Sequence, residues 1–198
     1  MMKNKRYGSI QVRAADDNED GKMIVEGYAA VFNQRTLLWE SDWSGRKYYE
    51  ELAPEAFNNA DFSECVLRYN HADSALILAR TRNNTLTCNI DAHGLKIRAE
   101  LADTQAGRDI YALVKRGDID KMSFAFTIRK QETEEDSESK ITVNRITDID
   151  KVYDVSPVDF PAYDGTSISA RNSAAIEEIK AGEKYTRESK RLALLAEL

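Results

Sequence analysis

CVLRYNHADSALILARTRNNTLTCNIDAHGLKIRAEL, residues 65–101, decides the fold class. It holds β-prone runs at 65–71, 75–80, 85–90 and 95–101. Between them lie turn-forming residues: Ala72-Asp73-Ser74, Asn83-Asn84 and Asp91-Ala92-His93-Gly94. Asn, Asp and Gly tolerate the conformations that reverse a chain, so each cluster punctuates rather than extends a strand. Short strands at such intervals predict a barrel or a sandwich.

The same character continues toward the N-terminus. Residues 9–14 alternate and break in the acidic loop DDNEDG. Residues 22–32 form a long β-prone run with Gly27 inside it, a place for a bend or bulge. Residues 48–52 make a short strand, and a short helix is expected over 54–59 with Pro54 near its first turn. Toward the C-terminus one helix interrupts the strands. Ile110, Leu113 and Val114 fall at helical spacing within 104–116, Asp103 or Thr104 can cap the start, and Gly117 fits just past the end. Strands are expected again at 122–128 and 141–155, joined by KQETEEDSESK, read as a solvated hairpin loop. Beyond Ile168 the β character is lost, and 174–198, rich in Ala, Glu, Lys and Leu, reads as a helix or a partly ordered tail. The division expected is a domain over 1–168 and a helical or partly disordered tail over 169–198.

A chain of 198 residues is long enough to bury a core. Its net charge of −6 comes from interspersed acids and bases with no long basic stripe, so nucleic acid is not an expected ligand. No window approaches the ~20 apolar residues of a membrane span. MMKNKRYGSIQVRA lacks the apolar run of a secretory signal, which makes a cytoplasmic life the default. Cys65 and Cys88 have no CxxC spacing and read as buried free thiols. Neither a metal nor a cofactor is expected.

Candidate chemistry sits on two strands and one acidic run. In Met122-Ser123-Phe124-Ala125-Phe126-Thr127-Ile128, period two puts Met122, Phe124, Phe126 and Ile128 on a bulky face. Ser123, Ala125 and Thr127 share a small face, where a serine can act as a nucleophile or simply meet solvent. In Cys65-Val66-Leu67-Arg68-Tyr69-Asn70-His71, the alternation groups Cys65, Leu67, Tyr69 and His71. His71 then lies where an apolar face meets a turn, placed to serve as a base or as a satisfied strand-end histidine. His93 lies in a turn and is the weaker candidate. Serine hydrolysis of an amide needs a base, a group that orients the base, and donors for the oxyanion. Asp148, Asp150 and Asp154 fall on one face of the last strand by alternation, so periodicity does not choose among them.

Six segments then occur in order: EGYAAVFNQ (26–34), ELAPEAF (51–57), LRYNHAD (67–73), GLKIRAEL (94–101), GRDIYALVKRGDIDKMSFAF (107–126) and DVSPVDFPAYDGT (154–166). This succession resembles the prohead (capsid maturation) proteases of tailed bacteriophages, which are similar in fold to herpesvirus assembly proteases. Glu55 departs from the Gly that often precedes Ala-Phe there. The resemblance implies an α+β, mainly β fold: a herpesvirus-protease-like β-barrel core flanked by helices. It implies Ser123 as nucleophile and His71 as general base. The herpesvirus relatives use a second histidine as third member, but this chain has none after His93. An acid must serve, or the site is a dyad; Asp154, adjacent to the Val155-Ser156-Pro157-Val158 motif, is taken first and Asp148 second. The turn after Asp154, stiffened by Pro157 and Pro161, could present oxyanion donors. The resemblance further implies cleavage of the major capsid protein and scaffold (delta-domain) polypeptides, inside the assembling prohead in the bacterial host cytoplasm. It suggests a homodimer, and 174–198 is read as a docking helix, a segment trimmed by self-cleavage, or a featureless charged helix. The competing reading is a catalytically inactive capsid-assembly or scaffolding module of the same fold, using 131–140 and the tail as interaction surfaces; such a module would not need the His71–Ser123 pair.

Overall fold

The computed structural model describes residues 4–14, 21–72, 75–159 and 173–196. Ten strands and two helices follow in chain order: β1 (Asn4–Ala14), β2 (Ile24–Val31), β3 (Thr36–Glu40), β4 (Lys47–Leu52), β5 (Val66–Leu67), β6 (Ala79–Arg80), β7 (Leu86–Ile90), β8 (Gly94–Glu100), α1 (Gln105–Arg116), β9 (Lys121–Asp136), β10 (Ile141–Val158) and α2 (Ser173–Ala196). The strands pair in the order β3-β4-β10-β9-β1-β2-β8-β7, with β5 on β10 and β6 on β5. The architecture is α+β and mainly β.

The expected closed barrel is not formed by continuous pairing among the described residues, because the path has ends at β3 and β7. Its would-be seam lies beside β6, which is two residues long. There the chain is joined by single bonds instead of a ladder: Ala102 N donates to Leu78 O (2.9 Å) and Arg80 N to Thr85 Oγ1 (2.9 Å).

β9 owes its position to side-chain alternation, while along β10 the core residues Ile146, Ile149, Val152 and Val155 fall three apart because its register shifts. Met122, Phe124 and Phe126 enter the core with Leu67, Leu95, Ile97, Val152 and Val155. Phe126 is fully buried, and burying such a side chain stabilises by about 1.5–3 kcal/mol. The helix α1 is capped as its sequence predicts. The Thr104 side chain accepts from Gly107 N (3.1 Å), and Gly117 ends the helix at φ 85°.

Several local expectations are corrected. The run 65–71 is a strand only at Val66–Leu67, since Asn70 and His71 both take φ 53° and turn the chain. The run 75–80 is a strand only at Ala79–Arg80. The helix over 54–59 is a single 3-10 turn, Pro54–Phe57. Gly27 keeps regular register with Val12 and Ile97, and the irregularity falls instead between Tyr28 and Ala30. β3 was not anticipated. Cys88 is only partly buried, while Cys65 is buried; both are free. The acidic stretch is not a loop: 130–136 continues β9 against β10, and only 137–140 turns. Backbone pairing is indifferent to side-chain polarity, and β4 supports the other edge of β10 in parallel register. The Ala72-Asp73-Ser74 turn, most of DDNEDG and Pro161 fall wholly or partly outside the described residues.

The described part of the tail is helical, as α2. Its Glu183 carboxylate accepts from Ser44 Oγ (2.9 Å), Tyr48 OH (3.0 Å) and Ser41 Oγ on the β3–β4 connection and β4. Burial and this bond push the Tyr48 phenol up to about 12.

Gly94 opens β8 in close approach to the end of β2, its antiparallel neighbour. A Cβ there would lie 2.0 Å from Ala30 O, a backbone atom that cannot rotate away. Gly94→Ala is expected to cost about 1–3 kcal/mol, the scale of overpacking, and to lower the thermal midpoint by several degrees. Thermal unfolding followed by circular dichroism checks this; an unchanged midpoint would mean the contact has slack.

Candidate active site

Ser123 enters the site from β9, His71 from the loop after β5, and Asp154 from β10. In the β9–β10 ladder Ser123 faces Ser156 and Ala125 faces Asp154. On the other side of β10, β5 runs parallel, with Val66 opposite Asp154 and Leu67 opposite Val155. The strand that carries Asp154 is thus central, flanked by the strand that carries Ser123 and by the strand that leads into His71. Ala125 keeps the space between Ser123 and Asp154 small-sided, because residues two apart share a face.

The loop reaches the site through an uncommon backbone. Asn70 and His71 sit in the left-handed region, where Asn and His are among the few non-glycine residues found. The end of β10 holds this turn in place. Asn70 N donates to Pro157 O (3.0 Å), Asn70 Nδ2 donates to Asp159 Oδ2 (2.7 Å), and Asp159 N donates back to Asn70 Oδ1 (3.2 Å). Tyr69 OH also donates to Asp159. Left-handed non-glycine residues persist where surrounding structure over-determines them, and they cluster at functional sites.

The result is one hydrogen-bonded row. Ser123 Oγ lies 2.5 Å from His71 Nε2 and donates to it, and His71 Nδ1–H donates to Asp154 Oδ1. Those two bonds together select the tautomer with its proton on Nδ1. All three residues are buried: 0% exposed for Ser123, 3% for His71 and 7% for Asp154. Burial works to raise the Asp154 carboxyl. The His71 hydrogen bond and charge, the Ser156 hydroxyl and the Arg68 charge outweigh it and hold the group below the ordinary carboxylate range.

The other candidates lie elsewhere. Asp148 and Asp150 are both engaged by Arg129, at 3.1 Å and 2.7 Å, on a more exposed part of β10. The alternation that grouped them with Asp154 is broken by register shifts between Ile149 and Lys151 and between Val152 and Asp154. His93 sits in the β7–β8 turn, edge-on to Tyr28 with ring centroids 4.6 Å apart. Pro157 is a strand residue paired with Met122, not part of a turn. Cys65 offers no rival nucleophile: its hydrogen bond with Cys88, then burial, push the thiol up and keep it protonated. Sequence reasoning missed Asn70, Asp159 and Ser156 as site residues. Each stands in a quoted motif, but their joint role appears only when the loop and β10 meet.

A serine hydroxyl, an imidazole and a carboxylate joined in that order form the constellation of serine hydrolases. The chain belongs to a family of that class: the family described as caudovirus prohead serine protease matches residues 8–181. That membership points to a serine peptidase of phage capsid maturation. The chain matches no curated protein and no solved structure. No helix among the described residues is long and apolar enough to cross a membrane.

Proposed function

We propose that this chain is the endopeptidase that cleaves capsid and scaffold proteins during phage head maturation, with Ser123, His71 and Asp154 as its catalytic triad. The observation that carries the reading is the buried row Ser123 Oγ–His71–Asp154, assembled from three separate parts of the chain. His71 Nε2 takes the hydroxyl proton as Ser123 Oγ attacks the scissile carbonyl. The imidazolium then gives that proton to the leaving amine, and water hydrolyses the acyl-enzyme by the same route. Asp154 stays ionised, holds the imidazole in its working tautomer and stabilises the imidazolium. This chemistry calls for no metal or organic cofactor.

Family membership supports the major capsid protein and scaffold (delta-domain) polypeptides as substrates, met inside the prohead in the host cytoplasm. The catalytic unit is assigned to residues 1–168, with 169–198 an appendage whose α2 is held at Glu183. The herpesvirus likeness extends the reading to a barrel-like core and a homodimer, and the tail is read as a docking helix or a segment removed by self-cleavage. A scaffolding module that performs no chemistry has no comparable use for a buried base next to a hydroxyl.

The test is covalent capture. The full chain, co-expressed with its capsid protein, is treated with a fluorophosphonate and digested for mass spectrometry. The expected adduct is on Ser123. An adduct on another residue, or none in material that is actively cutting capsid protein, rejects the assignment.

A further inference from the structure

We infer that Ser156 is a positioning residue for this site, fixing the Asp154 carboxylate in the plane from which it receives His71. The inference rests on the triad reading above and goes beyond it by adding a fourth group.

Ser156 has no exposed surface, so its hydroxyl must find a partner inside the protein. That partner is Asp154 Oδ1, at 2.9 Å, the same oxygen that accepts from His71 Nδ1. Two residues apart on one strand, Asp154 and Ser156 share a face. Ser156 is also the ladder partner of Ser123, so both hydroxyls lie on adjacent strands within one buried patch. Their roles differ by geometry. Ser123 Oγ meets the imidazole, whereas Ser156 Oγ meets the carboxylate and lies behind the base.

A carboxylate turns about a broad, nearly two-fold torsion, so strand geometry alone does not fix the plane in which it meets His71. A second donor on the oxygen that meets His71 narrows that plane. With Ser156 in place, rotation of the carboxylate breaks two hydrogen bonds at once. The hydroxyl thereby acts on His71 through Asp154. The effect belongs in turnover, not in substrate binding.

The test compares two isosteric variants of the full chain, Ser156→Thr, which keeps the hydroxyl, and Ser156→Val, which lacks it, beside Ser156→Ala. Peptide hydrolysis gives kcat and KM separately, and fluorophosphonate labelling of Ser123 reports its nucleophilicity. Threonine is expected to stay within a few-fold of wild type. Valine and alanine are expected to lose roughly tenfold or more in kcat with KM unchanged, the size of removing one hydrogen bond to a charged group, and to label Ser123 more slowly in proportion. Equal kcat for the Thr and Val variants would overturn the proposal, as would a loss confined to KM. If alanine fails to fold, the Thr/Val ratio decides alone, since those two differ only in the hydroxyl. Failure of the triad itself would look different, because wild-type chain would then take no label at Ser123.

Discussion

Ser123→Ala is expected to abolish capsid cleavage while leaving a folded chain. Loss of the nucleophile from a working triad lowers turnover by something on the order of 10⁴–10⁶, because the members act as a unit and the remainder supplies only binding and oxyanion stabilisation. The structural consequence is small by comparison. The substitution deletes one oxygen from a fully buried position and with it the hydrogen bond to His71 Nε2. One net hydrogen bond is worth about 1 kcal/mol, which moves the midpoint of a chain this size by only a few degrees. Met122, Phe124 and Phe126, which anchor β9 in the core, are untouched. Activity and stability therefore separate by orders of magnitude, and that separation is the signature of a catalytic rather than a packing serine. The measurement pairs gel analysis of capsid protein co-expressed with the variant against thermal unfolding of the purified chain. Normal processing by a Ser123→Ala chain would remove it from the mechanism.

The legibility of these residues in the sequence differs for physical reasons. Ser123 was readable because β9 is regular from Met122 to Thr127, so period-two alternation sorts bulky from small side chains correctly. Its small face, though, meets the His71 loop and β10 rather than solvent. His71 does come to lie beside Ser123 and Asp154, but not by the local route its strand alternation implied. Extrapolating a strand through it ignored Asn70 and His71 entering the left-handed region, a conformation imposed by Pro157 and Asp159 from a distant part of the chain. Local pattern carries no information about such partners. Asp154 could not be chosen by period because β10 changes register on the way to it, and such irregularities leave no mark on alternation. The acidic arm of β9 was hidden by its polarity, since propensity and hydropathy report burial while a ladder needs only backbone. Short elements were the other loss: β3, β5 and β6 are held by neighbours more than by their own residues, so their extent follows from tertiary context.

Asp154→Asn is expected to lower kcat on the order of 10³–10⁴, whereas the same change at Asp148 or Asp150 leaves it near wild type. Two outcomes at position 154 lead to the same loss. If the new amide nitrogen faces His71, it donates to Nδ1, moves the ring proton to Nε2 and leaves no acceptor for the Ser123 hydroxyl. If the amide oxygen faces His71 instead, keeping the bonds to it and to Ser156, the tautomer survives but the negative charge that stabilises the imidazolium is gone. Asp148 and Asp150 differ because their partner is the exposed Arg129, and surface pairs of that kind contribute little. The acid range supplies an independent check. The folded-state carboxyl of Asp154 is held below its unfolded value, so the stability it contributes is present above about pH 4. It is lost as pH falls through the folded-state value. Thermal midpoints measured from neutral pH downward should therefore fall less steeply for Asp154→Asn than for wild type in that acid window. Kinetics place the charge in the reaction, and the pH series places it in the folded site. An Asp154→Asn chain that turns over normally, beside an Asp148→Asn chain that does not, would transfer the role to the acid held by Arg129.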